Sequence, residues 1–568
     1  MTSLADRVAI ARDIAECVDP KLAVKALGGA HEAADAFDRS VALWSPPLMS
    51  PDQEVLPEKD TLDSRVRDVL RNDGYARSGA SLQQDSVVGA LYQLTARPNL
   101  RVLGLQDDPE WAKEFSEEVE SKFSIWAESP DAWPDMARRM TFTEMIRLAV
   151  GVYLATGEFL AVSEWARNGP RPYQTAFQVI DIDRLKTPYE YMGEDLVRGG
   201  IRLTRSGQPR GYYIWRRHPN EQFYYDARPG RDWDYVKART RWGRLRVLHL
   251  AHRVRPEQTR GVSELVAGLA ETKILHKFRK LTLQNAAVNA SFAATIESEL
   301  PTEAAFAALG GGNVDPASAA VQFASKYLSA VNQYVSGAQN IQIDGVKIPH
   351  LFPGSRLNLQ PAGKIGGVGQ DFEKSLLRHL AATLGVSYEE LARDYSSTNY
   401  SSARAAMLQT RRSMAARKRF IADRFANAIY RAWFEEAANK RVSQGGLESL
   451  RYSKAPNIYR GLNLDAYTAA TWLGAGVGQI DELKETQAAL LRVKMGLSTY
   501  EEEIRKLGRD WRDVFAQRAR EQEEMERLDI VPGNDPSLNA ASGSPRDMKD
   551  SDGGQKTPKI VEDAVDGG

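Results

Sequence analysis

The chain has 568 residues, 42% of them hydrophobic and 26% charged, which is the composition of a globular protein too long for a single ordinary core. Its 75 basic and 75 acidic side chains cancel, so any contact with nucleic acid depends on local charge placement rather than on a net basic excess. Cys17 is the one cysteine, which excludes an intrachain disulfide and a cysteine-based metal cluster.

The chain shows no pattern typical of a secretory signal or of a membrane span. Its start lacks a cationic segment followed by an unbroken apolar run. The longest apolar stretch, Ile146–Val162, is interrupted by charged residues and by Gly157, so it is better explained as a buried helix followed by a strand. We therefore predict a soluble protein with no membrane partner.

After a proline-interrupted arm over residues 1–60, the pattern changes from helix to strand, which predicts one α+β domain over residues 61–260. Helical periodicity is found at Leu62–Ala76, Ser81–Gln93, Trp111–Glu128 and Trp133–Leu154. Short β-branched or aromatic runs predict strands at Arg101–Leu105, Phe159–Trp165, Ala176–Ile182, Gly199–Thr204, Gly211–Trp215 and Arg246–Ala251. Turn residues Arg205–Gln208 indicate a hairpin between two of these strands.

Helices dominate the rest of the chain, with one compact module inserted at residues 291–360. The predicted helices are Ser263–Val288, capped by Ser263, then Asp371–Leu384, Tyr388–Arg393 capped by Ser387, Ala403–Lys440, Glu482–Gly496, Thr499–Leu507 and Trp511–Leu528. The module is predicted to contain strands at Phe292–Ile296, Ile341–Ile348 and Ser355–Gln360 and a helix at Ser318–Val335. Residues 529–568 are rich in Gly, Ser, Pro and Asp and are expected to be disordered.

A polar, uncharged run stands between two of the predicted helices. It consists of Tyr395, Ser396, Ser397, Thr398, Asn399, Tyr400, Ser401 and Ser402. Such side chains hydrogen-bond to nearby backbone and bury little apolar surface, so we expect the run to break the helix and form a loop at residues 395–402. A neutral polar loop suits a contact that touches a charged polymer without holding it.

The long helix predicted at residues 403–440 carries basic residues at a spacing of seven. One set is Arg404, Arg411 and Lys418, and the other is Arg417, Arg424 and Arg431. Three explanations stay open for this basic stripe: a solvated helix face, ion pairs with acidic residues of a neighbouring subunit, and contact with DNA phosphates.

Known catalytic patterns are missing from the sequence. Gly363–Lys364 does not fit a phosphate-binding loop, because its spacing is wrong and Ile365 follows the lysine. His249 and His252 would lie on opposite faces of a strand and are not expected to bind a metal together. Asp181 and Asp183 would share a strand face, which leaves a metal-dependent DNA-processing enzyme as an alternative. We expect no catalysis and no cofactor.

Six collinear stretches resemble the portal proteins of lambda-like tailed phages. They are Asp68–Asn99, the GEFL element within Phe142–Trp165, Gln178–Ile201, Val247–Val262 with its RPEQTRGV motif, Leu384–Ala406 and Ile480–Val514. The match covers about Asp68 to Leu528. Glu257 stands where relatives tend to have glycine, and Glu482 where they tend to have proline.

The resemblance implies an α+β portal subunit with a wing at residues 61–260, stem helices at 261–290 and 361–394, and a clip at 291–360. The tunnel loop would be residues 395–402, the long helix 403–440, and the remaining wing and helical crown 441–528. Such subunits form a ring, typically of twelve, at the capsid vertex of the virion after assembly in the host cytoplasm. The implied partners are non-specific double-stranded DNA, the terminase large subunit, head–tail connector proteins, and the major capsid or scaffold protein. A capsid adaptor that does not enclose DNA is a further alternative.

Overall fold

Helices and small antiparallel sheets alternate along the described part of this computed structural model. Residues 43–167, 169–221, 232–291, 365–396, 398–476 and 482–528 are described, with isolated residues before 43 and short pieces between 321 and 348. Residues 1–475 and 476–568 form two compact units. The mixture of helix and strand agrees with the predicted α+β class.

The first unit contains most of the described helices. They are α1 (Pro51–Val55), α2 (Lys59–Asn72), α3 (Gly74–Val87), α4 (Leu100–Leu103), α5 (Pro109–Ala127), α6 (Phe142–Thr156), α7 (Leu269–Ser291), α8 (Ile365–Leu384), α9 (Tyr388–Ala392), α10 (Tyr400–Arg417), α11 (Asp423–Asn439) and α12 (Asn463–Tyr467). A π-helical turn, Lys418–Ala422, connects α10 to α11. The second unit contributes α13 (Glu482–Lys494), α14 (Tyr500–Lys506) and α15 (Trp511–Arg527).

The described strands are short and pair in antiparallel fashion. They are β1 (Gln93–Ala96), β2 (Glu158–Trp165), β3 (Thr175–Ile180), β4 (Val197–Arg198), β5 (Ile201–Leu203), β6 (Pro209–Trp215), β7 (Trp233–Lys237), β8 (Val247–Ala251), β9 (Ile341–Ile343), β10 (Val346–Ile348) and β11 (Ala470–Leu473). The sheets have the orders β3-β2-β8, β4-β5-β6-β7, β1-β11 and β10-β9. The β1–β11 pair joins the beginning and the end of the first unit.

Aromatic side chains form the centre of the main core. The ring of Phe123 in α5 lies 5.3 Å from the rings of both Phe142 in α6 and Trp433 in α11, measured between centroids. It also lies 5.9 Å from Trp472 in β11. A smaller cluster of buried apolar residues, including Leu160 and Ile214, fills the space between the three-stranded and four-stranded sheets. Helices and sheets of the first unit are thus held by one large core and one small one.

Local capping explains where several helices start and stop. Thr141 and Glu144 form a reciprocal capping box at the start of α6. The helix ends at Gly157, which has a left-handed backbone with φ of 71°. A Cβ atom on Gly157 would lie 2.2 Å from the carbonyl carbon of Val262, so this position requires glycine for close approach as well as for conformation.

Some predicted elements differ from the structure for local reasons. The strand predicted at Arg101–Leu105 is wrong, because Asn99 caps the one-turn helix α4 and Gly104 ends it. The first part of the helix predicted at Trp133–Leu154 is also wrong, since the Asp135 carboxylate instead accepts hydrogen bonds from nearby backbone NH groups. Strand β7 was not predicted.

Several predictions fall outside the described residues. These are most of the N-terminal arm, the strands at Phe292–Ile296 and Ser355–Gln360, most of the helix at Ser318–Val335, and the tail after Leu528. Within the described chain, no helix combines the length and the apolar character that crossing a bilayer requires.

Candidate functional site

The polar run forms a shorter loop than the sequence predicts. Helix α9 ends at Arg393, whose backbone is left-handed, and α10 already begins at Tyr400. The Asn399 side chain caps α10 by accepting a hydrogen bond from the Ser402 backbone NH at 2.9 Å. The prediction that Tyr400, Ser401 and Ser402 belong to the loop is therefore wrong, because the cap in front of them starts a helix.

Hydrogen bonds within the loop engage much of its polar surface. The Asp394 carboxylate accepts from the Ser396 backbone NH at 3.1 Å and from its hydroxyl at 2.6 Å. These bonds lower the pKa of Asp394, so the loop carries a negative charge at its base. The Thr398 NH donates to the Tyr395 carbonyl at 3.2 Å. Ser397 lies outside the described residues.

Asp394 is a residue of the candidate site that sequence reasoning missed. The run predicted to form the loop contains only uncharged residues and starts at Tyr395, so it excludes Asp394. The signal was present, because an aspartate two residues before a serine is typical of a turn closed by the aspartate side chain. An ionised carboxylate at this place repels other anionic groups.

A set of side-chain hydrogen bonds, which we call the Glu390–Thr410 clamp, joins the start of α9 to the middle of α10. Ser387 and Glu390 form a capping box at the start of α9. The same Glu390 carboxylate accepts a hydrogen bond at 2.6 Å from the hydroxyl of Thr410, a buried residue in α10. The Thr410 hydroxyl accepts in turn from the Ser387 backbone NH at 3.1 Å. Helices α9 and α10, which precede and follow the loop, are thus tied together.

Farther along α10, Arg417 connects four segments of the first unit. Its guanidinium pairs with Glu264, at the start of the turn leading into α7. It also donates at 2.8 Å to the side-chain oxygen of Gln83 in α3. The Gln83 amide donates at 2.7 Å to the carbonyl of Leu384, the last residue of α8. We call Arg417, Gln83, Glu264 and Leu384 the Arg417 junction.

The basic stripe divides into residues with intrachain partners and exposed residues. Lys418 donates at 2.9 Å to both Asp423 and the Trp472 carbonyl, and Arg431 pairs with Asp465. Arg417 belongs to the junction, and Arg411 is half-buried with a partner of its own. Arg404 and Arg424 are exposed. None of the three explanations for the basic stripe includes ion pairs within the chain, because the acidic partners of these basic residues come from distant parts of the sequence.

The π-helical turn also changes the face that the stripe occupies. A π turn inserts an extra residue and rotates all following side chains about the helix axis. Helix α11 has a wide buried face that includes Phe425, Ile429 and Trp433, whereas the described side chains of α10 include few buried ones. The buried apolar residues of the long helix are therefore concentrated in α11.

Asp181 and Asp183 do not lie on a strand as predicted. Strand β3 ends at Ile180, and Asp181 caps a short 3-10 turn. Arg67 donates to Asp183 at 2.5 and 2.9 Å, and the His218 ring nitrogen lies 3.0 Å from the same carboxylate. Burial alone would raise the pKa of Asp183, but these hydrogen bonds outweigh it and lower the pKa to about 2. Ligand atoms of Asp181, Asp183 and His218 lie within 4.8 Å of one another, as a metal site would require, but Arg67 already neutralises the Asp183 carboxylate.

The two histidines have separate partners, which agrees with the expectation that they do not share a metal. His249 is buried with its ring nitrogen 2.7 Å from Glu158. His252 lies 3.7 Å from Glu264.

A buried ionic cluster joins two of the sequence motifs that carry the resemblance. Glu158, from GEFL, is fully buried and accepts from the Arg260 guanidinium, of RPEQTRGV, at 2.9 and 3.1 Å. Lys59 lies 3.3 Å from Glu158 and donates at 2.6 and 2.8 Å to Asp63. Burial would raise the pKa of Glu158, but Arg260 and Lys59 outweigh it and keep that pKa well below its usual range. Burial raises the pKa of Asp63 to about 6.

Comparison with known proteins gives consistent matches over most of the chain. Residues 37–418 match the model of the lambda family of phage portal proteins. The portal protein of Escherichia phage N15 is 34% identical over 521 residues, which cover 90% of this chain and 93% of that protein. Portal protein B of Escherichia phage lambda is 33% identical over 514 residues, with the same coverage of both chains.

More distant similarities extend to another phage and to solved particles. The probable portal protein of Halomonas phage phiHAP-1 is 22% identical over 84% of this chain and 83% of its own. A chain from the neck of an empty gene transfer agent particle is 12% identical, with a TM-score of 0.34, over 82% of this chain and 95% of its own. A chain from the neck of the native particle, computed with C12 symmetry, is 11% identical, with a TM-score of 0.33, over 79% of this chain and 98% of its own. On the family model and the two relatives above 30% identity, the chain belongs to the lambda family of phage portal proteins.

Proposed function

We propose that this chain forms a closed ring at one vertex of a tailed-phage capsid and that double-stranded DNA passes through the ring during packaging and ejection. Family membership over residues 37–418 is the observation that carries the proposal. A ring of twelve subunits is the number we propose, with closed cyclic symmetry leaving no unpaired subunit surface. The terminase large subunit, the head–tail connector proteins and the major capsid or scaffold protein would bind the ring in turn.

The loop Tyr395–Asn399 is the part that we propose faces the DNA. A channel must pass any sequence, so base readout would be a defect and strong phosphate binding would slow movement. The Ser396 hydroxyl and the Asn399 side-chain oxygen are engaged within the chain, so the exposed Tyr395 is the described side chain that would exchange hydrogen bonds between DNA and water, and Asp394 adds local repulsion. The Glu390–Thr410 clamp supports this role, because it ties together the two helices that precede and follow the loop and so limits their separation while a polymer moves past.

The basic residues of the long helix take different roles in this proposal. Arg417, Lys418 and Arg431 hold the subunit together, since each has a partner within the chain. Exposed Arg404 and Arg424 are left for a neighbouring subunit or for DNA. We propose that the neighbouring subunit is the partner, because a ring buries helix faces between its members. The proposal includes no catalytic step and no cofactor, and the bond from Arg67 to Asp183 supports that choice.

Negative-stain imaging of the purified chain tests the ring. A closed ring with a central hole is expected, and a stable monomer in every condition at micromolar concentration would contradict the proposal.

A loop variant tests the DNA contact. Replacing residues 395–398 with Gly-Ser-Gly-Ser preserves Asp394, the Asn399 cap and the Glu390–Thr410 clamp. We expect unchanged rings but reduced packaging or retention of DNA. The control is Tyr189→Ala, because Tyr189 is an exposed tyrosine in a short 3-10 turn of the α+β region. Packaging that is equal in the loop variant and the control would remove the loop from the mechanism.

A further inference from the structure

A basic hollow lies at one end of the four-stranded sheet. Strand β5 ends, β6 begins and β7 ends at this place. The hollow has a volume of about 650 Å³, and four of the side chains that line it are basic: Arg202, Arg210, Lys237 and Arg239. In a chain whose charges cancel overall, this is a local concentration of positive charge.

The register of the strands explains the shape of the hollow. Arg202 in β5 pairs with Gly211 in β6, and Gly211 pairs with Lys237 in β7. The two cations therefore flank a residue without a side chain, about 10 Å apart at two strand spacings. The Tyr235 ring lies over this glycine, since a Cβ atom there would be 2.4 Å from the Tyr235 hydroxyl oxygen. The phenol thus forms part of the floor between the two cations.

Few acidic groups balance these cations. Within the described residues, no carboxylate lines the hollow, and neither Arg210 nor Lys237 forms an ion pair. Arg202 forms an ion pair with Glu194 at 3.5 Å and donates a hydrogen bond to the Tyr213 hydroxyl at 3.2 Å, so Arg210 and Lys237 are the cations of the hollow that carry the argument. At the other end of the same sheet, Arg216 is paired with Asp234 at 2.7 Å. The hollow is therefore a place where positive charge is left for a ligand outside the subunit.

We propose that this hollow binds the phosphodiester backbone of double-stranded DNA. Protein contacts to DNA phosphates come from Arg and Lys and from Thr, Gln and Tyr side chains. The lining supplies these groups, with Thr204, Gln208 and Tyr235 beside the cations. The contact reads no bases, so it accepts any sequence, and it strengthens as the salt concentration falls.

An acidic peptide is the other polyanion to consider, and the geometry favours it less. Peptides that bind to a sheet usually add a strand along its edge, with pockets for alternate side chains. Although β7 is an edge strand, the hollow lies where β7 ends, and its cations stand apart from one another around a polar floor. Such an arrangement suits successive phosphate groups better than an extended backbone.

Closed circular plasmid DNA tests the site, because it cannot be threaded through a closed ring. The full-length chain is expected to bind this DNA. The variant R210Q/K237Q/R239Q should bind roughly tenfold more weakly, and its slope of log affinity against log salt should be lower by about 1 for each phosphate that it no longer neutralises. The control R101Q/K113Q/K273Q removes the same charge from exposed positions elsewhere and should bind as the unmodified chain does. Equal binding by the two variants would overturn the proposal.

Two further measurements keep the test independent of variant folding. In the unmodified protein, bound DNA should protect Lys237 from an acetylating reagent while Lys113 stays reactive, as read by mass spectrometry. Equal reactivity of Lys237 with and without DNA would contradict the site. If poly-glutamate binds through these cations and DNA does not, the hollow is a site for an acidic peptide instead. Ring formation is measured separately, so failure here leaves the portal function untouched.

Discussion

The buried side chain of Gln83 accepts a hydrogen bond from Arg417 at 2.8 Å while its amide donates to the Leu384 carbonyl at 2.7 Å. One neutral side chain therefore links the end of α8 to the last residue of α10. These helices flank the α9 segment and the loop that follows it. Any force on the loop that moves α10 along its axis would have to stretch the bond between Gln83 and Arg417.

Replacing Gln83 with leucine should destabilise the first unit by about 2 kcal/mol, because the buried Leu384 carbonyl and Arg417 would each lose a partner. Urea denaturation followed by tryptophan fluorescence measures this loss. The control is Gln106→Leu at an exposed position, where a change within about 0.5 kcal/mol is expected. Similar losses in the two variants would show that the bonds of Gln83 contribute nothing specific.

Glu158→Gln should cost about 3 to 5 kcal/mol, since Arg260 and Lys59 would lose the carboxylate that neutralises them in the interior. Glu164→Gln on the same strand is the matched control. Its partner Arg246 is 3.7 Å away and both are partly exposed, so a loss below about 1 kcal/mol is expected. Thermal unfolding of the two variants measures the difference. A Glu158 variant as stable as the control would contradict the buried cluster.

Asp183 should contribute to stability against acid. Its pKa in the folded protein is about 2, below the ordinary value of 3.8, so the folded state favours the ionised form. Its contribution is present above pH 3.8 and is lost as the pH falls towards 2. Asp183→Asn and Arg67→Gln should each flatten the fall in stability over that range, measured by urea denaturation at successive pH values. An unchanged acid profile in both variants would show that the pair has no such role.

Glu257 has a left-handed backbone with φ of 64°, which accounts for the glycine that relatives tend to have there. Glu257→Gly should therefore be more stable than Glu257→Ala, by about 1 kcal/mol. At Glu117, exposed within α5, the order should reverse, because alanine is favoured over glycine in a helix by about 1 kcal/mol. Thermal unfolding of the four variants checks both orders. The same order at both positions would mean that the conformation of Glu257 costs nothing.

Sequence reasoning succeeded where local chemistry decides the structure. The Ser387 cap is confirmed, and so is the strand pattern that leads to β2 and β8. Ser263 also acts as a cap, but of a 3-10 turn, Glu264–Gly268, that precedes α7. The prediction is wrong at Tyr400–Ser402, because the run of hydroxyl residues indicates a loop over its whole length. The signal for a helix there is Asn399, a residue typical of a helix N-cap. Short capped elements such as α4 were likewise hidden within an apolar run.

The partners of the basic stripe could not be predicted for a different reason. Glu264, Asp465 and the Trp472 carbonyl are brought to the long helix only by tertiary packing. The π-helical turn at Lys418 also leaves no periodic signal, since one extra residue shifts the pattern without breaking the helix. The hollow at Lys237 depends on β7, a strand that was not predicted. Spacing along the sequence could therefore identify the cations but not their surroundings.

Pairing of β1 with β11 has a consequence for the order in which the protein matures. Residues 93–96 of β1 have no strand partner until residues 470–473 of β11 are present. The ring of Trp472 in β11 also stacks on the ring of Tyr92, with 5.8 Å between centroids. A nascent chain emerging from the ribosome would thus hold an unfinished core until β11 has been synthesised. Incomplete subunits truncated before this strand would expose aromatic surface, which offers quality-control proteases a target. Translation to residue 473 is then the earliest point at which a subunit can be ready for a ring.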